Sequence, residues 1–316
     1  MKNLFIIFII TITTTCMLTS CNQEDCSTLK PMEAPHDNRA YEQLSASIIA
    51  INSKYKIQNS TFDNGDLFYA KKRKGFFHWL GRIFTTIAGD VAGSISLGPT
   101  GNNYNLRQGI DTSITIWKLW EDKKTEEKDT SKTRINHIGA ENKPTIKINT
   151  DAIPKINGQY IEDNAGYIHN AVIINLYKEY GDSLKELSAS DIDNIINKEY
   201  HKVINEAGLI HSTNNHTNEI NKYVVDRICA LVSQCSDVEE IIMVLKAEYP
   251  ECAKELEVLE IVMNNIINEN MEVENLDDYT NEVVNTINGS QIPTNSKDVI
   301  KATVSITSAS SQLWTP

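Results

Sequence analysis

The spacing of apolar residues after residue 160 constrains the fold more than any other feature of the chain. From Ile161 to Tyr180, apolar side chains recur every three to four positions, which places them on one face of a helix. Short connections between amphipathic helices bring neighbours side by side, where burial of their apolar faces stabilises them. The sequence therefore predicts an all-α fold, an irregular array of short amphipathic helices. Further segments with this spacing cover residues 188–208, 216–234, 237–248, 251–270, 275–288 and 296–313.

Residues at the ends of two segments have the chemistry of helix caps. Ser188 or Ser190 precedes the second segment, where a serine hydroxyl can accept a hydrogen bond from a free N–H of the first turn. Gly181 and Gly208 follow the last periodic residues of their segments, where glycine adopts the left-handed conformation that ends many helices. These residues predict where two of the helices begin and end.

The chain before residue 160 changes character at a polar stretch. Residues 38–55 and 104–121 have helical spacing. Residues 121–160 contain a charge run and two prolines but little periodicity, which predicts a linker with a small β-hairpin in the 140–160 connection. The expected parts after the anchor are an N-terminal helical region at 37–120, this linker, and a C-terminal helical domain at 161–316.

The first residues have the anatomy of a lipoprotein signal peptide. Lys2 supplies a positive charge, and the apolar run from Leu4 to Ile12 is too short to span a bilayer as a stable anchor. The string Leu18-Thr19-Ser20-Cys21 resembles a bacterial lipobox, whose cysteine receives a lipid and begins the mature chain. We interpret residues 1–20 as the signal peptide and Cys21 as the lipidation site. The alternative is an ordinary secretory signal in which Cys21 is incidental.

The residues that follow Cys21 predict where the anchored protein lies. Residues 21–36 form a polar tether. No aspartate follows Cys21 directly, so a common signal for inner-membrane retention is missing, and the acidic pair Glu24-Asp25 is similar to export tags of surface lipoproteins in some Gram-negative bacteria. Several acyl chains anchor a protein stably where one chain is marginal. The expected location is the bacterial outer membrane, with the chain lipid-anchored through Cys21 and facing the cell exterior.

The charge balance argues against one class of partner. The chain has 30 Lys and Arg residues against 42 Asp and Glu residues, a net charge of −12 at pH 7. Binding to nucleic acid requires clustered cations that neutralise phosphates. The sequence also contains no glycine-rich phosphate-binding motif. It therefore predicts no nucleic-acid partner and no cofactor.

A basic and aromatic segment, residues 71–97, has three interpretations. On a helix, its apolar residues form one stripe, and Gly81, Gly89 and Gly93 belong to a stripe of small residues that permits close helix approach. We favour a core helix whose glycine face receives the helix at 38–55 or at 104–120. The alternatives are a helix in a membrane interface and a helix that binds a partner. Contact with a membrane or partner would involve Lys71, Lys72, Arg73, Lys74, Phe76, Phe77 and Trp79.

Cysteines and histidines are the residues of the chain that could form cross-links or bind metals. Cys229 and Cys252 reach the same level if their helices pack up-down-up, which makes Cys229–Cys252 the candidate disulfide; two buried free thiols are the alternative. His211 and His216 lie in a polar, Asn-rich connection, and their spacing fits a solvated loop better than a zinc site. No metal site is predicted.

His169 is the candidate for catalysis. It stands beside Asn170 in a predicted helix, and Glu162 and Asp163 precede it by about two turns. One interpretation is a general base held by a carboxylate. The interpretation we favour is a polar His-Asn pair that pins the helix against the preceding loop, because no nucleophile motif accompanies the histidine.

Four features together carry a resemblance to known proteins. They are the lipobox, the stretch FFHWLGRIF…AGDVAGSISLG, the stretch GYIHNAVI, and the terminal residues Ser310 to Trp314. In combination they resemble a group of uncharacterised surface lipoproteins from gut-type Gram-negative bacteria. That group has no known activity, so the resemblance implies a location and a shared architecture and assigns no catalytic residue.

The leading functional hypothesis is a lipid-anchored, surface-exposed helical module that binds an unidentified protein or envelope partner and catalyses no reaction. The first alternative is a cell-surface hydrolase that uses His169 with Glu162 or Asp163. The second is a membrane-interacting protein that works through the helix at 71–97.

Overall fold

The computed structural model describes a part of the chain that begins at residue 38. The predicted signal peptide, Cys21, the tether and residues 71–79 lie outside the described residues, so the predictions made for them stay predictions. No described helix is both long and apolar enough to cross a membrane. The described ranges are 38–55, 89, 91–93, 95–96, 103–130, 147–211, 220–235, 238–268 and 273–315.

Helices account for most of the described residues, and the prediction of an all-α fold is confirmed. The α-helices are α1 (Asn38–Tyr55), α2 (Leu106–Thr130), α3 (Ala165–Tyr180), α4 (Ala189–Ala207), α5 (Lys222–Gln234), α6 (Val238–Glu248), α7 (Ala253–Asn268), α8 (Val273–Gly289) and α9 (Thr294–Leu313). Short 3₁₀ helices cover Glu162–Asn164, Gly181–Glu186 and Pro250–Cys252. The described strands are β1 (Ile95–Ser96), β2 (Asn103–Tyr104), β3 (Lys147–Ile148) and β4 (Trp314–Thr315).

The strand pairing differs from the predicted hairpin. β3 lies in the 140–160 connection, but its antiparallel partner is β4 at the end of the chain, with Ile148 opposite Trp314. The pairing continues where the Asn149 N–H donates to the Leu313 carbonyl over 2.8 Å. The prediction of a local hairpin is therefore wrong for β3. The periodicity of a short strand identifies its residues but not a partner more than a hundred residues away.

Helix α9 is the centre of the fold. It packs against α3, α7 and α8, and also contacts β2 and the 3₁₀ helix at Glu162–Asn164. Most of its residues are buried although many are Ser or Thr. Two of the buried threonine hydroxyls bond within the helix: Thr303 Oγ1 donates to the Val299 carbonyl and Thr307 Oγ1 to the Thr303 carbonyl, both over 2.8 Å. Because these hydroxyls are satisfied locally, α9 tolerates burial on nearly all sides.

The two helical regions predicted as separate parts share one hydrophobic core. α1 packs against α7 and α8, and α2 packs against α3, α4 and α5. The core includes Leu44 and Ile48 of α1 together with Val262 of α7. Helix α2 also continues to Thr130, into the range predicted as a linker. Residues 38–316 accordingly form one compact unit by their contacts.

Two glycines of the small-residue stripe lie against α2. A Cβ on Gly93 would approach the Thr112 Cβ to 2.7 Å, and a Cβ on Gly89 would collide with the Ile116 side chain. Gln108 Nε2 donates to the Gly93 carbonyl over 2.8 Å, which fixes the close approach. At these two positions the glycine face receives the helix that begins at Leu106, as the favoured interpretation of the segment expects.

The predicted caps are found at their residues. Ser188 Oγ accepts a hydrogen bond from the Asp191 N–H over 3.2 Å and caps α4. Gly208, with φ of 65°, ends α4 in the left-handed region. Gly181 follows α3 with φ of 53°. These glycines occupy backbone conformations that other residues rarely adopt.

Candidate functional site

The predicted catalytic residues lie around the start of α3, where the 3₁₀ helix at Glu162–Asn164 leads into it. The Asn164 side chain bonds to the preceding loop and does not cap α3. The Gly166 N–H, one of the free donors at the helix start, instead donates to Ser305 Oγ of α9 over 2.9 Å. The beginning of α3 is thus held by tertiary contacts with α9, and these contacts set the positions of the polar side chains that follow.

His169 is fully buried, and both of its ring nitrogens have partners. Nε2 lies 2.9 Å from Ser113 Oγ of α2, and Nδ1 lies 3.0 Å from Asn170 Oδ1. Ser113 and Asn170 are fully buried as well. The side chain of His169 therefore links α2 to α3 inside the core.

The hydrogen bonds of Asn170 determine which nitrogen of His169 carries the proton. Asn170 Nδ2 donates to the Ala152 carbonyl over 2.6 Å and to the Ala309 carbonyl over 2.9 Å. Both amide protons are used, so Oδ1 is the acceptor and His169 Nδ1–H the donor. In the neutral imidazole Nε2 is then an acceptor. The Ser113 hydroxyl lies 2.9 Å from this nitrogen and 2.9 Å from the Gly109 carbonyl oxygen, so two acceptors share its single proton. A hydroxyl, an imidazole and an orienting amide stand in the order that nucleophilic catalysis uses.

Glu162 belongs to a second cluster. The Tyr104 hydroxyl donates to Glu162 Oε1 over 2.6 Å and lies 3.2 Å from His211 Nδ1. His211 Nδ1 lies 3.7 Å from Glu162 Oε1, with the glutamate side chain buried and the histidine side chain 26% exposed. Burial and the hydrogen bond to Glu162 raise the pKa of Tyr104. The phenol therefore stays protonated and serves as a donor to the buried carboxylate.

Asp163 belongs to a third cluster, with residues of α9. Lys301 Nζ lies 3.1 Å from Asp163 Oδ1 and 3.4 Å from Asp298 Oδ1. The side chains of Lys301 and Asp298 are almost completely buried. A buried ammonium requires an opposite charge, and the two carboxylates supply it. This cluster ties the 3₁₀ helix to α9.

In the structure, the group that orients the predicted general base is an amide and not a carboxylate. His169 is oriented by the amide of Asn170, while Glu162 and Asp163 bind Tyr104 and Lys301 respectively. Sequence reasoning placed His169 beside Asn170 correctly but missed Ser113, Tyr104 and Lys301. These three lie 56, 58 and 138 positions from their partners along the chain, and no local pattern connects such residues.

The structure places both cysteines of the predicted disulfide in buried positions, and the Cys229 thiol is unbridged. Cys229 lies on α5 near Asp111 and Lys222, and burial raises the pKa of its thiol to about 12. Cys252 ends a 3₁₀ helix near Tyr41 of α1. The two cysteines thus lie near different helices, and both are buried, as the alternative to the disulfide expects.

The described residues include histidine, cysteine and carboxylate side chains, the usual ligands of metal ions. In that part of the chain, no group of three or more His, Cys, Asp or Glu side chains could hold a metal ion. His211 lies in the Tyr104–Glu162 cluster, and His216 lies outside the described residues.

The fold and the site define an all-helical protein whose predicted catalytic histidine is a core residue. No protein-family model matches the chain, no curated protein matches it, and no solved structure matches it.

Proposed function

We propose that the protein is a lipid-anchored helical interaction module on the outer face of the bacterial outer membrane and that it catalyses no reaction. The lipobox at Leu18–Cys21 supports the anchor. The polar residues between Cys21 and the first residue of α1, Asn38, supply a tether long enough to separate the helical unit from the lipid.

The burial of His169 is the observation that carries the non-catalytic part of the proposal. A general base needs a nitrogen that can reach a substrate proton. Both nitrogens of His169 have partners, and neither the ring nor Ser113 is exposed. Polar groups arranged in this way fix the packing of α2, α3 and α9, as expected of a scaffold that presents its outer helices to a partner.

Metabolic labelling with an alkyne analogue of palmitate tests the anchor. Cys16, which has no aliphatic residue three positions before it, is the weaker candidate for lipidation. The wild-type chain and the Cys16→Ser variant should incorporate the label, and Cys21→Ser should lose it. Label that persists in Cys21→Ser and disappears in Cys16→Ser would move the lipid to the other cysteine. Absence of label from both the wild type and Cys16→Ser would refute lipidation.

Protease treatment of intact cells tests the external location. The lipidated chain should be degraded without cell lysis, while a periplasmic control protein survives. Survival of the chain until the outer membrane is permeabilised would place it on the periplasmic side. Residue-specific photocrosslinking from Tyr223, the most exposed of the large apolar side chains in the described part, then tests whether a partner is bound.

A hydrolase is the second candidate, favoured by the order of Ser113, His169 and Asn170. The Ser113 hydroxyl would attack an acyl carbon while its proton passes to His169 Nε2, and Asn170 would hold the imidazole. The imidazolium would return that proton to the departing alcohol or amine, and water would then hydrolyse the acyl-enzyme. Such a reaction requires an opening to Ser113 that its burial closes. A fluorophosphonate probe should leave the folded chain unlabelled under the leading proposal. Labelling that is lost in Ser113→Ala and kept in Ser53→Ala would establish the hydrolase instead.

A further inference from the structure

We propose that a groove between α1 and the end of α8 binds a small, neutral, hydroxyl-rich ligand of the sugar or polyol class. The groove has a volume of about 340 Å³ and lies between the N-terminal half of α1 and the turn that leads from α8 to α9. This volume is in the lower part of the range of small-molecule sites, roughly 300–1,000 Å³. The proposal goes beyond the interaction-module function and does not depend on the lipid anchor.

The charge of the lining identifies the ligand as neutral. Every residue that lines the groove carries an uncharged side chain. An ionic ligand would lose hydration there without an opposite charge to compensate it. A ligand that recognises this lining must therefore bind through hydrogen bonds between neutral groups and through apolar contact.

The hydroxyls of the groove identify the ligand as a hydrogen-bond donor. Ser47 Oγ donates to the Gln43 carbonyl over 2.9 Å, Thr286 Oγ1 to the Glu282 carbonyl over 2.9 Å, and Ser290 Oγ to the Ile287 carbonyl over 2.7 Å. Each hydroxyl has one proton, and each proton is used within its own helix or turn. The oxygens remain acceptors, and a ligand with several hydroxyl donors matches them.

Amides and apolar side chains complete the match. Gln43 on α1 and Gln291 after α8 stand on the two sides of the groove, and both are exposed. Each amide offers two donor hydrogens and one acceptor oxygen, so it can pair with a hydroxyl in either direction. The buried side chains of Ala40 and Leu44 give the groove an apolar floor. A sugar ring presents this combination, with C–H groups on one face and hydroxyls around its edge.

Gly289 provides an independent reason to regard the groove as a site. A Cβ on Gly289 would meet no atom within 4 Å. Its φ does not lie in the left-handed region, which among the described glycines holds Gly158, Gly181 and Gly208. Neither packing nor backbone conformation requires glycine at this position, while alanine is the better helix former. A small residue at this position leaves the groove open, whereas a large side chain such as tryptophan would fill it.

Saturation-transfer difference NMR on the purified full chain in a detergent without sugar groups tests the proposal. The neutral probes are glucose, galactose and N-acetylglucosamine, and the charged probes are glucuronate and glucose 6-phosphate. At least one neutral probe should receive saturation, and the corresponding charged probe should bind no better. The Gly289→Trp variant, which fills the groove, should weaken binding by about tenfold or more, and Gly289→Ala should keep it within about twofold.

The comparison of variants decides the result. Circular dichroism reports whether Gly289→Trp folds, and Gln291→Ala provides a second, smaller change that should weaken binding if it does not. The proposal is overturned if no neutral probe binds, if a charged probe binds better, or if binding persists unchanged in Gly289→Trp or in Gln291→Ala. None of these outcomes depends on Cys21, so failure here leaves the lipid-anchor proposal standing and success does not support it.

Discussion

Replacing Gly166 with alanine is expected to destabilise the protein, because α3 and α9 meet there without space for a methyl group. A Cβ on Gly166 would fall inside van der Waals contact with the Ser305 carbonyl oxygen and would lie 2.8 Å from the Ala309 Cβ. Both obstacles belong to α9, the helix with the largest share of the packing. The carbonyl is backbone and cannot rotate away, so either α9 or the start of α3 must shift.

The size of the effect follows from two opposing contributions. Adding a methyl group to a well-packed core typically costs about 1–3 kcal/mol. Replacing glycine with alanine in a helix interior returns about 1 kcal/mol, and less at the second residue of α3, where Gly166 stands. The expected net loss is therefore about 0.5–2.5 kcal/mol. This corresponds to a fall in Tm of about 2–4 °C for each kcal/mol in a domain of roughly this size. The Gly166 N–H to Ser305 Oγ bond, 2.9 Å long, would also be strained.

Urea unfolding followed by circular dichroism measures this difference. The matched control is Gly289→Ala, because that glycine also lies near a helix end and its Cβ would meet open space. Gly289→Ala should leave the midpoint unchanged or raise it, while Gly166→Ala should lower it. If Gly166→Ala proves as stable as Gly289→Ala, the close approach of α3 to α9 is wrong, and with it the placement of the polar clusters that depend on this contact.

Three further predictions use other parts of the molecule. Burial raises the pKa of the Asp111 carboxyl in the folded state, so the folded chain holds the carboxyl proton more tightly than the unfolded chain. The free energy of unfolding therefore falls as the pH rises from the pKa of the unfolded state through that of the folded state. In thermal unfolding, Asp111→Asn should therefore gain stability over the wild type at pH 7 and lose the gain below about pH 3.9, while the exposed Asp277→Asn shows no such gain. Iodoacetamide at pH 8 should modify the half-buried Cys235 well before Cys229, as read by mass spectrometry; Cys229 and Cys252 that stay unmodified after unfolding without reductant would reveal a disulfide. A Cys21→Ser chain should not co-sediment with anionic liposomes, because Gly89 and Gly93 of the segment at 71–97 lie against α2. Binding that is lost when residues 71–74 become glutamine would contradict the core-helix interpretation.

Helices with one apolar face were predictable from their spacing. In α3 the sequence placed Ile168 and Val172 on the inner face, and both are fully buried. In α1 it placed Leu44 and Ile48 there, with the same result. A helix with a single apolar stripe can bury that stripe in only one orientation, so the spacing alone predicts which face is buried.

The extent of α2 and the role of α9 were not predictable in this way. The charge run after residue 120 reads as a solvated linker, yet Lys and Glu are good helix formers, and α2 continues through it to Thr130. In α9, buried Thr303 and Thr307 look like surface residues in the sequence. Their burial depends on hydroxyl bonds within the helix and on neighbours that close in from several sides, and a one-dimensional pattern contains neither.

The candidate site was predictable only where its partners are neighbours in the chain. His169 and Asn170 are adjacent, and the sequence identified them as a polar pair that pins α3. Ser113 comes from α2, and nothing in its own surroundings distinguishes it from the other Ser and Thr residues of that helix. The geometry of long-range polar contacts is set by how the helices pack, so it becomes visible only after the fold is known.

The three polar clusters share one structural consequence. Each joins α3 or the 3₁₀ helix before it to a different element: His169 to α2 through Ser113, Glu162 to β2 through Tyr104, and Asp163 to α9 through Lys301. In a purely apolar interface, these elements could shift relative to one another at little cost. A buried donor that loses its acceptor costs about 1–3 kcal/mol, so each polar cluster favours one relative position of the two elements that it joins. Asn170 adds the carbonyl of Ala309 near the end of α9 to the same set of constraints. The polar residues at this junction are therefore better explained as the elements that make the helical packing unique than as groups held ready for a substrate, and the groove proposed for ligand binding lies elsewhere, between α1 and α8.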